Sequence, residues 1–340
     1  MADLIIMKKD ATKKEIKKVI EKIEKFGFKV HISKGEERTI IGIIGDTREV
    51  PDETFRALPG VSEVISILKE YKLASREFHK EDTIIDVNGV KIGEGYFVVM
   101  AGPCAVESKT QLLTIGKFIK KLGAKILRGA IFKPRTSPYS FLGMGKEGIS
   151  ILKEVKKELN IPIITEVLSP EEVEMVSEVS DILQIGTRNM FNYRLLQKVG
   201  RTDKPVLLKR NFSAKISELL NCTEYILKEG NNKVILCERG IRTFDSEFTR
   251  NTLDLSAIPI LKKETYLPVI VDPSHGTGRR DLIIPMSKAA VVVGADGLLI
   301  EVHPKPEEAL SDGYQSIPFD IFENLMKEIE PLIKIMKKRV

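Results

Sequence analysis

Six fixed cations fall at the ends of short apolar runs: Arg128 in ILRG, Lys133 and Arg135 in FKPRTS, Arg188 in IGTRN, Lys209 in LLKRN and Arg239 in LCERG. Guanidinium and ammonium groups gathered in this way bind phosphate and carboxylate oxygens through charge-assisted hydrogen bonds. They have no use for a neutral ligand, so the expected ligand is small, multiply anionic and phosphorylated. A second set of residues is scattered along the chain: Cys104 in AGPC, His275 in DPSH, Glu301 in LLIEVHP and Asp312 in LSDG. A thiolate, an imidazole and two carboxylates make a mixed soft and hard donor set. It suits a borderline divalent ion (Mn, Fe, Co or Zn) rather than calcium. Taken singly, a Cys is usually a buried small hydrophobe and a His structural. It is their common place at strand ends that favours a metal.

These groups can act together only if one architecture brings them to one rim. From residue 97 onward, runs rich in Val, Ile and Leu alternate with helical patterns. Eight runs are predicted as strands, at 97–104, 125–130, 162–167, 181–188, 205–211, 233–240, 268–276 and 296–304. Continuous apolar strands joined by crossover helices predict a parallel sheet buried on both faces, here a closed (β/α)₈ TIM barrel with its site at the carboxyl ends of the strands. A doubly wound open sheet is the alternative. Residues 3–68 follow a different order, β-α-β-β-α-β, which is ferredoxin-like. The expected domains are therefore a small α+β unit at 1–72, a linker at 73–80 and the barrel at 81–340. The barrel should open with a hairpin turning at Asn88-Gly89 that closes its far end.

Composition narrows the function classes. The chain has 340 residues, 42% of them hydrophobic, enough for two cores. Its net charge of +6 comes mostly from lysines interleaved with glutamates on helix faces, Trp is absent, and no basic stripe carries aromatics, so nucleic-acid binding is not expected. MADLIIMKK has only four consecutive apolar residues before its lysines, and no stretch approaches membrane-spanning length, so a cytoplasmic location without membrane attachment is expected. Three cysteines with no CxxC fit a reducing compartment.

The segments AGPCAVES, RGAIFKPRTSPYSF, IGTRN, LLKRNF, ILCERGIRTF, DPSHGTGRRDL and IEVHPKPEEALSDGYQS resemble 3-deoxy-D-arabino-heptulosonate 7-phosphate (DAHP) synthases, in the subgroup that also contains the 3-deoxy-D-manno-octulosonate 8-phosphate synthases. The resemblance covers residues 80–340, and the ferredoxin-like front end matches the regulated form of the subgroup. It implies condensation of phosphoenolpyruvate with erythrose 4-phosphate. The KPRTS sequence favours that acceptor; the runner-up is the octulosonate reaction, with arabinose 5-phosphate. By resemblance, Arg188, Lys209 and Arg239 hold the phosphate of phosphoenolpyruvate, while Arg128, Lys133 and Lys209 face its carboxylate. Arg135, Thr136 and Ser137 would hold the aldose phosphate, with Lys133, Cys104 and His275 at the chemistry. The metal would polarise the aldehyde. The resemblance also implies a homotetramer and an aromatic amino acid effector, Tyr or Phe, for which His31 and Ser33 are candidate contacts.

Other residues take plainer readings. Glu166 is a candidate for activating the attacking water or a salt-bridge partner, and Asp272 a supporting partner at the rim. Cys222 and Cys237 read as packing residues, while His303, Arg242, Arg279 and Arg280 stay outside the core set. A silent barrel serving as a metabolite sensor is the third reading. The full four-donor set argues against it, since a sensor needs no metal to polarise a carbonyl.

Overall fold

The computed structural model describes residues 3–35, 38–45, 47, 50–65, 71–135, 137–245 and 247–340. It divides into two compact units, Met1–Glu81 with Glu264–Tyr266, and Asp82–Lys263 with Leu267–Val340.

In the first unit, strands β1 (Leu4–Met7), β2 (Lys29–Lys34), β3 (Thr39–Ile44) and β4 (Val61–Ile65) form one antiparallel sheet in the order β2-β3-β1-β4. Helices Lys13–Lys25 and Glu53–Arg56 complete the ferredoxin-like order. The first helix starts where Thr12 accepts from the backbone of Glu15 while the Glu15 carboxylate accepts from the backbone of Thr12 at 2.7 Å. This reciprocal cap satisfies two backbone donors that the helix cannot. Val19 and Ile23 on its inner face then join Ile5, Met7, Ile41 and Phe55 in the core. Each such side chain contributes about 1.5–3 kcal/mol on burial. Residues 73–80, expected as a linker, are packed: Leu73, Ala74, Ser75 and Phe78 are buried, and Phe78 lies 5.1 Å from His31, ring to ring.

In the second unit a hairpin comes first, β5 (Ile84–Val87) against β6 (Val90–Gly93). Asn88 and Gly89 both have positive φ, 51° and 88°, as a two-residue turn between right-twisted strands requires. Eight parallel strands follow: β7 (Val98–Gly102), β8 (Ile126–Arg128), β9 (Ile163–Val167), β10 (Ile182–Ile185), β11 (Val206–Lys209), β12 (Val234–Glu238), β13 (Val269–Val271) and β14 (Gly297–Glu301). β14 pairs with β7 from Gly297–Val98 to Glu301–Gly102, which closes the barrel and excludes the open sheet.

The barrel core shows how the site is placed. Val98, Met100, Ile126, Ile164, Ile182, Leu207, Ile235, Ile270 and Leu299 fill it, and Ile85, Val87 and Ile92 of the hairpin pack onto that cluster. These apolar positions lie toward the amino ends of the strands. The cations and metal-ligand candidates follow at the carboxyl ends, so one end is plugged with hydrocarbon and the other is polar. Cys237 belongs to the core and Cys222 is buried on helix Ile216–Leu227, in line with their packing roles.

Candidate active site and metal centre

At the carboxyl end of the barrel, Cys104, His275, Glu301 and Asp312 each offer a ligand atom, and these atoms all lie within 4.8 Å of one another. Cys104 follows β7, His275 follows β13, Glu301 ends β14, and Asp312 stands in the loop beyond. Asp312 adopts φ of 51°, a left-handed conformation that Asp tolerates better than most residues. Its Oδ2 accepts from the Cys104 thiol at 3.1 Å.

The hydrogen bonds aim these donors inward. Asp272 Oδ2 lies 2.7 Å from His275 Nδ1, which places the proton on that nitrogen and leaves the Nε2 lone pair facing Glu301 Oε1 at 3.3 Å. Burial lowers the His275 pKa despite Asp272 and Glu301, which keeps the imidazole neutral. Glu301 Oε1 has no hydrogen-bond partner among the described residues, although Arg128 Nη1 stands 3.0 Å away. The other oxygen, Oε2, accepts from Gln315. A buried carboxylate oxygen without a hydrogen bond, facing an imidazole lone pair, a thiol and a second carboxylate, fits a divalent cation. Burial pushes the Cys104 thiol up to about 12, with Glu301 and Asp312 adding to it and Lys133 and Arg128 opposing. Metal binding would therefore expel the thiol proton.

The cations stand around this centre. Lys133 Nζ lies 3.0 Å from Cys104 Sγ and 3.3 Å from the Cys104 carbonyl oxygen. Burial works against its charge, but Cys104, Glu166 and Glu301 outweigh it and hold the ammonium above its ordinary value. Lys209 donates to Asp272. Arg239 donates to the His275 carbonyl at 3.3 Å, while its Nε and Nη1 have no hydrogen-bond partner among the described residues; Arg128 Nη1 makes none either, but is ion-paired with Glu301 Oε1. A buried donor left unpaired costs about 1–3 kcal/mol, a demand that an anion would meet. A cavity of about 290 Å³ is lined by Arg128, Lys133, Arg135, Ser137, Arg188, Lys209, Arg239, His275 and Asp312 together. That volume lies at the small end of ligand pockets. Thr136 lies outside the described residues.

Glu166 lines the cavity, and a Cβ on Gly186 would sit 1.9 Å from its Oε1, so any larger residue there would push that carboxylate from its place. Asp272 bridges Lys209 and His275. His303 turns to Lys305 and Glu107, Arg242 stacks on Phe212, and Arg279 pairs with Asp281. Arg280 donates to the Gly313 carbonyl at 3.0 Å. In the first unit, Ser33 lines a cavity with Arg38, His79, Lys80 and Glu81, while His31 packs on Phe78.

Sequence reasoning missed Arg250, Gln184, Gln315 and Ser311. Arg250 and Gln184 line the cavity, Gln315 holds Glu301, and Ser311 Oγ lies 3.2 Å from Cys104 Sγ. Arg250 follows no strand, so a strand-end criterion passes over it.

Comparison with known proteins gives matches along nearly the whole chain. Residues 78–337 match the model of the DAHP synthetase I family and residues 4–69 that of the DAHP synthase ferredoxin-like domain. A phospho-2-dehydro-3-deoxyheptonate aldolase of Thermotoga maritima is 52% identical over 337 residues, covering 99% of both chains. A 2-dehydro-3-deoxyphosphooctonate aldolase of Citrifermentans bemidjiense is 34% identical over 275 residues, covering 75% of this chain and 98% of its own. A crystal structure of the phospho-2-dehydro-3-deoxyheptonate aldolase (DAHP synthase) of Thermotoga maritima superposes with a TM-score of 0.79 at 51% identity, covering 99% of this chain and 98% of that one. A truncated 3-deoxy-D-arabino-heptulosonate 7-phosphate synthase from the same organism covers 79% of this chain and 99% of its own, with a TM-score of 0.74 at 50% identity.

Proposed function

The chain belongs to the DAHP synthetase I family, and from that premise we propose that its barrel condenses phosphoenolpyruvate with erythrose 4-phosphate with the help of one divalent metal ion, at the head of the shikimate pathway. The octulosonate reaction is the weaker alternative: the aldolase of Citrifermentans bemidjiense shares 34% identity and leaves out a quarter of the chain, against 52% over almost all of it. We further assign the first unit to feedback control by tyrosine or phenylalanine, and the working form to a homotetramer.

The observation that carries the reaction is the cluster of Cys104, His275, Glu301 and Asp312 under a rim of cations with unpaired donors. In this reading Arg188, Lys209 and Arg239 take the phosphate of phosphoenolpyruvate, and Arg128, Lys133 and Lys209 its carboxylate. Arg135, Thr136 and Ser137 take the aldose phosphate. Holding two polyanions side by side costs repulsion, which the clustered cations offset, and it turns a bimolecular encounter into an oriented one. A divalent ion in the cluster would supply Lewis-acid polarisation of the aldehyde oxygen.

C3 of the enolpyruvate then forms the new carbon–carbon bond, and the Lys133 ammonium, held protonated by its neighbours, gives a proton to the developing alkoxide. Water adds at C2 with Glu166 as the candidate to take its proton, and phosphate leaves as the C2–O bond breaks. Asp272 aims His275 and fixes its proton on Nδ1 while steadying Lys209.

The test is an assay of the full-length chain with each aldose phosphate, before and after removal of divalent metal by EDTA. Activity with erythrose 4-phosphate should vanish on stripping and return with one of Mn, Fe, Co or Zn. Full activity in rigorously metal-free protein would refute the metal assignment, and a preference for arabinose 5-phosphate would refute the acceptor.

A further inference from the structure

Arg250 stands between two parts of the site that the proposed reaction treats separately. Its backbone N–H donates to the Thr277 carbonyl at 2.8 Å, which anchors it beside the segment carrying His275. Gly278 makes room for it: at φ of 66°, a Cβ there would lie 2.5 Å from the Arg250 Cβ. The side chain is about one-third exposed and reaches the cavity wall that also holds Arg188, Lys209 and Arg239. On its other side, Nη1 donates to Gln315 Oε1 at 2.9 Å and to the Tyr314 hydroxyl at 3.2 Å, and stands 3.8 Å from Asp312 Oδ1.

These contacts differ in kind. Gln315 is fully buried and passes the link on, since its Nε2 donates to Glu301 Oε2. The two guanidiniums act on Asp312 by charge, Arg250 at 3.8 Å and Arg135 at 3.6 Å both standing beyond hydrogen-bond reach, while the Tyr314 hydroxyl between Arg250 and Asp312 donates to Asp312 Oδ1 at 3.5 Å. A guanidinium carries five donors in a fixed fork, so Arg250 Nη1 can keep Gln315 while its other N–H groups take a phosphate oxygen that draws the charge from Asp312.

We propose that Arg250 is a positioning residue coupling the anion pocket to the metal-ligand loop. A phosphate oxygen in the cavity competes with Asp312 for the guanidinium, releases that carboxylate to a divalent ion, and leaves Gln315 steadying Glu301. Phosphorylated substrate and metal therefore tighten each other's binding, by the same factor in each direction. This rests on the proposed reading of the site as one for phosphoenolpyruvate and a metal.

The experiment is isothermal titration of the metal-stripped, full-length chain with Co²⁺, with and without saturating phosphoenolpyruvate, and the reciprocal titration with phosphoenolpyruvate. In the parent each ligand should tighten the other about tenfold. R250Q should still bind Co²⁺ alone but lose most of the tightening, and R250K, which keeps the charge without the fork, should recover part of it. The coupling is overturned if R250Q tightens as much as the parent. It is equally overturned if R250Q folds but binds no Co²⁺ under either condition, which would make Arg250 a simple support for the loop. The parent titrations decide alone should R250Q not fold. A parent that binds both ligands independently overturns the coupling and leaves the reaction standing, whereas one that binds no phosphoenolpyruvate overturns both.

Discussion

Three claims converge on the sulfur of Cys104: its own proton, the Lys133 ammonium 3.0 Å away and the Asp312 carboxylate at 3.1 Å. A hydroxyl in its place would satisfy the same hydrogen bonds but is a far weaker metal ligand, because it holds its proton much more tightly. Cys104→Ser should therefore fold normally and lose most of its bound metal on dialysis, read as metal per chain. Retention of one equivalent of metal would remove Cys104 from the ligand set. The cations allow a sharper division. Arg135 lies beside Asp312 and the Leu310 carbonyl, whereas Arg188 stands exposed beyond β10 at another part of the same wall. Arg135→Ala should raise KM for erythrose 4-phosphate far more than for phosphoenolpyruvate, and Arg188→Ala the reverse, each by about 1.5–3 kcal/mol for a lost charged hydrogen bond. If both variants weakened the same substrate, the division of the rim would be wrong. Strand-end cations were legible in the sequence because chain order and geometry coincide there. Arg250 was not, because its loop joins the site through Gln315 and Tyr314, a link of 64 and 65 residues that no local pattern encodes.

Between β11 and β12 the alternation of the strands divides the labour. Leu207 and Cys237 point into the barrel core, so Lys209 and Arg239 point inward as well, while their neighbours Arg210 and Glu238 point outward. Behind the sheet, Arg210 Nη1 donates to Glu238 Oε2 and to Asp254 Oδ2, both at 2.9 Å, and its Nε donates to the Ala214 carbonyl at 2.9 Å. Glu238 Oε1 in turn accepts from the backbone of Gly240 at 2.6 Å. The network ties together the ends of the two strands that carry Lys209 and Arg239. Burial raises the Glu238 pKa, and Arg210 only partly opposes it. Arg210→Met would leave that carboxylate without its cation, a loss of about 3–5 kcal/mol when charged. The sign with pH follows from the direction of the shift. An acid whose folded pKa lies above its unfolded value is neutral in the fold at low pH, so its penalty is absent below the unfolded value of about 4.3 and grows as pH rises toward the folded one. The deficit in Tm against the parent should thus be larger at pH 8 than at pH 5, and an equal deficit at both would exclude Glu238 as its source. The inward half of this arrangement was legible from LLKRN and LCERG. The outward half was not, since Asp254 arrives from 44 residues along the chain.

At the scale of the whole chain the two units differ in what they contain. The eight strand-helix repeats and the β-α-β-β-α-β order were legible because each element carries its own period of apolar residues. The packing of residues 73–80 was not, because LASREFHK has no period and is ordered by Phe78 and its neighbours in three dimensions. None of the groups assigned to substrate or metal lies in the first unit, which instead carries a cavity lined by Ser33, Arg38, His79 and Glu81. The role proposed for this unit is control, for which coupling of about 1–3 kcal/mol between effector and substrate is the usual size. A chain starting at Asp82 keeps the hairpin whose Ile85, Val87 and Ile92 plug the barrel, so the second unit retains its core. It loses the Tyr71 hydroxyl bound to Glu264 at 2.6 Å and the His79 ring 4.5 Å from Tyr266, and a modest drop in Tm should follow. Condensation activity should survive while inhibition by tyrosine or phenylalanine disappears, measured as initial rates against effector concentration for both chains. The control role fails if the full-length chain ignores both amino acids, or if the shortened chain remains as sensitive as its parent.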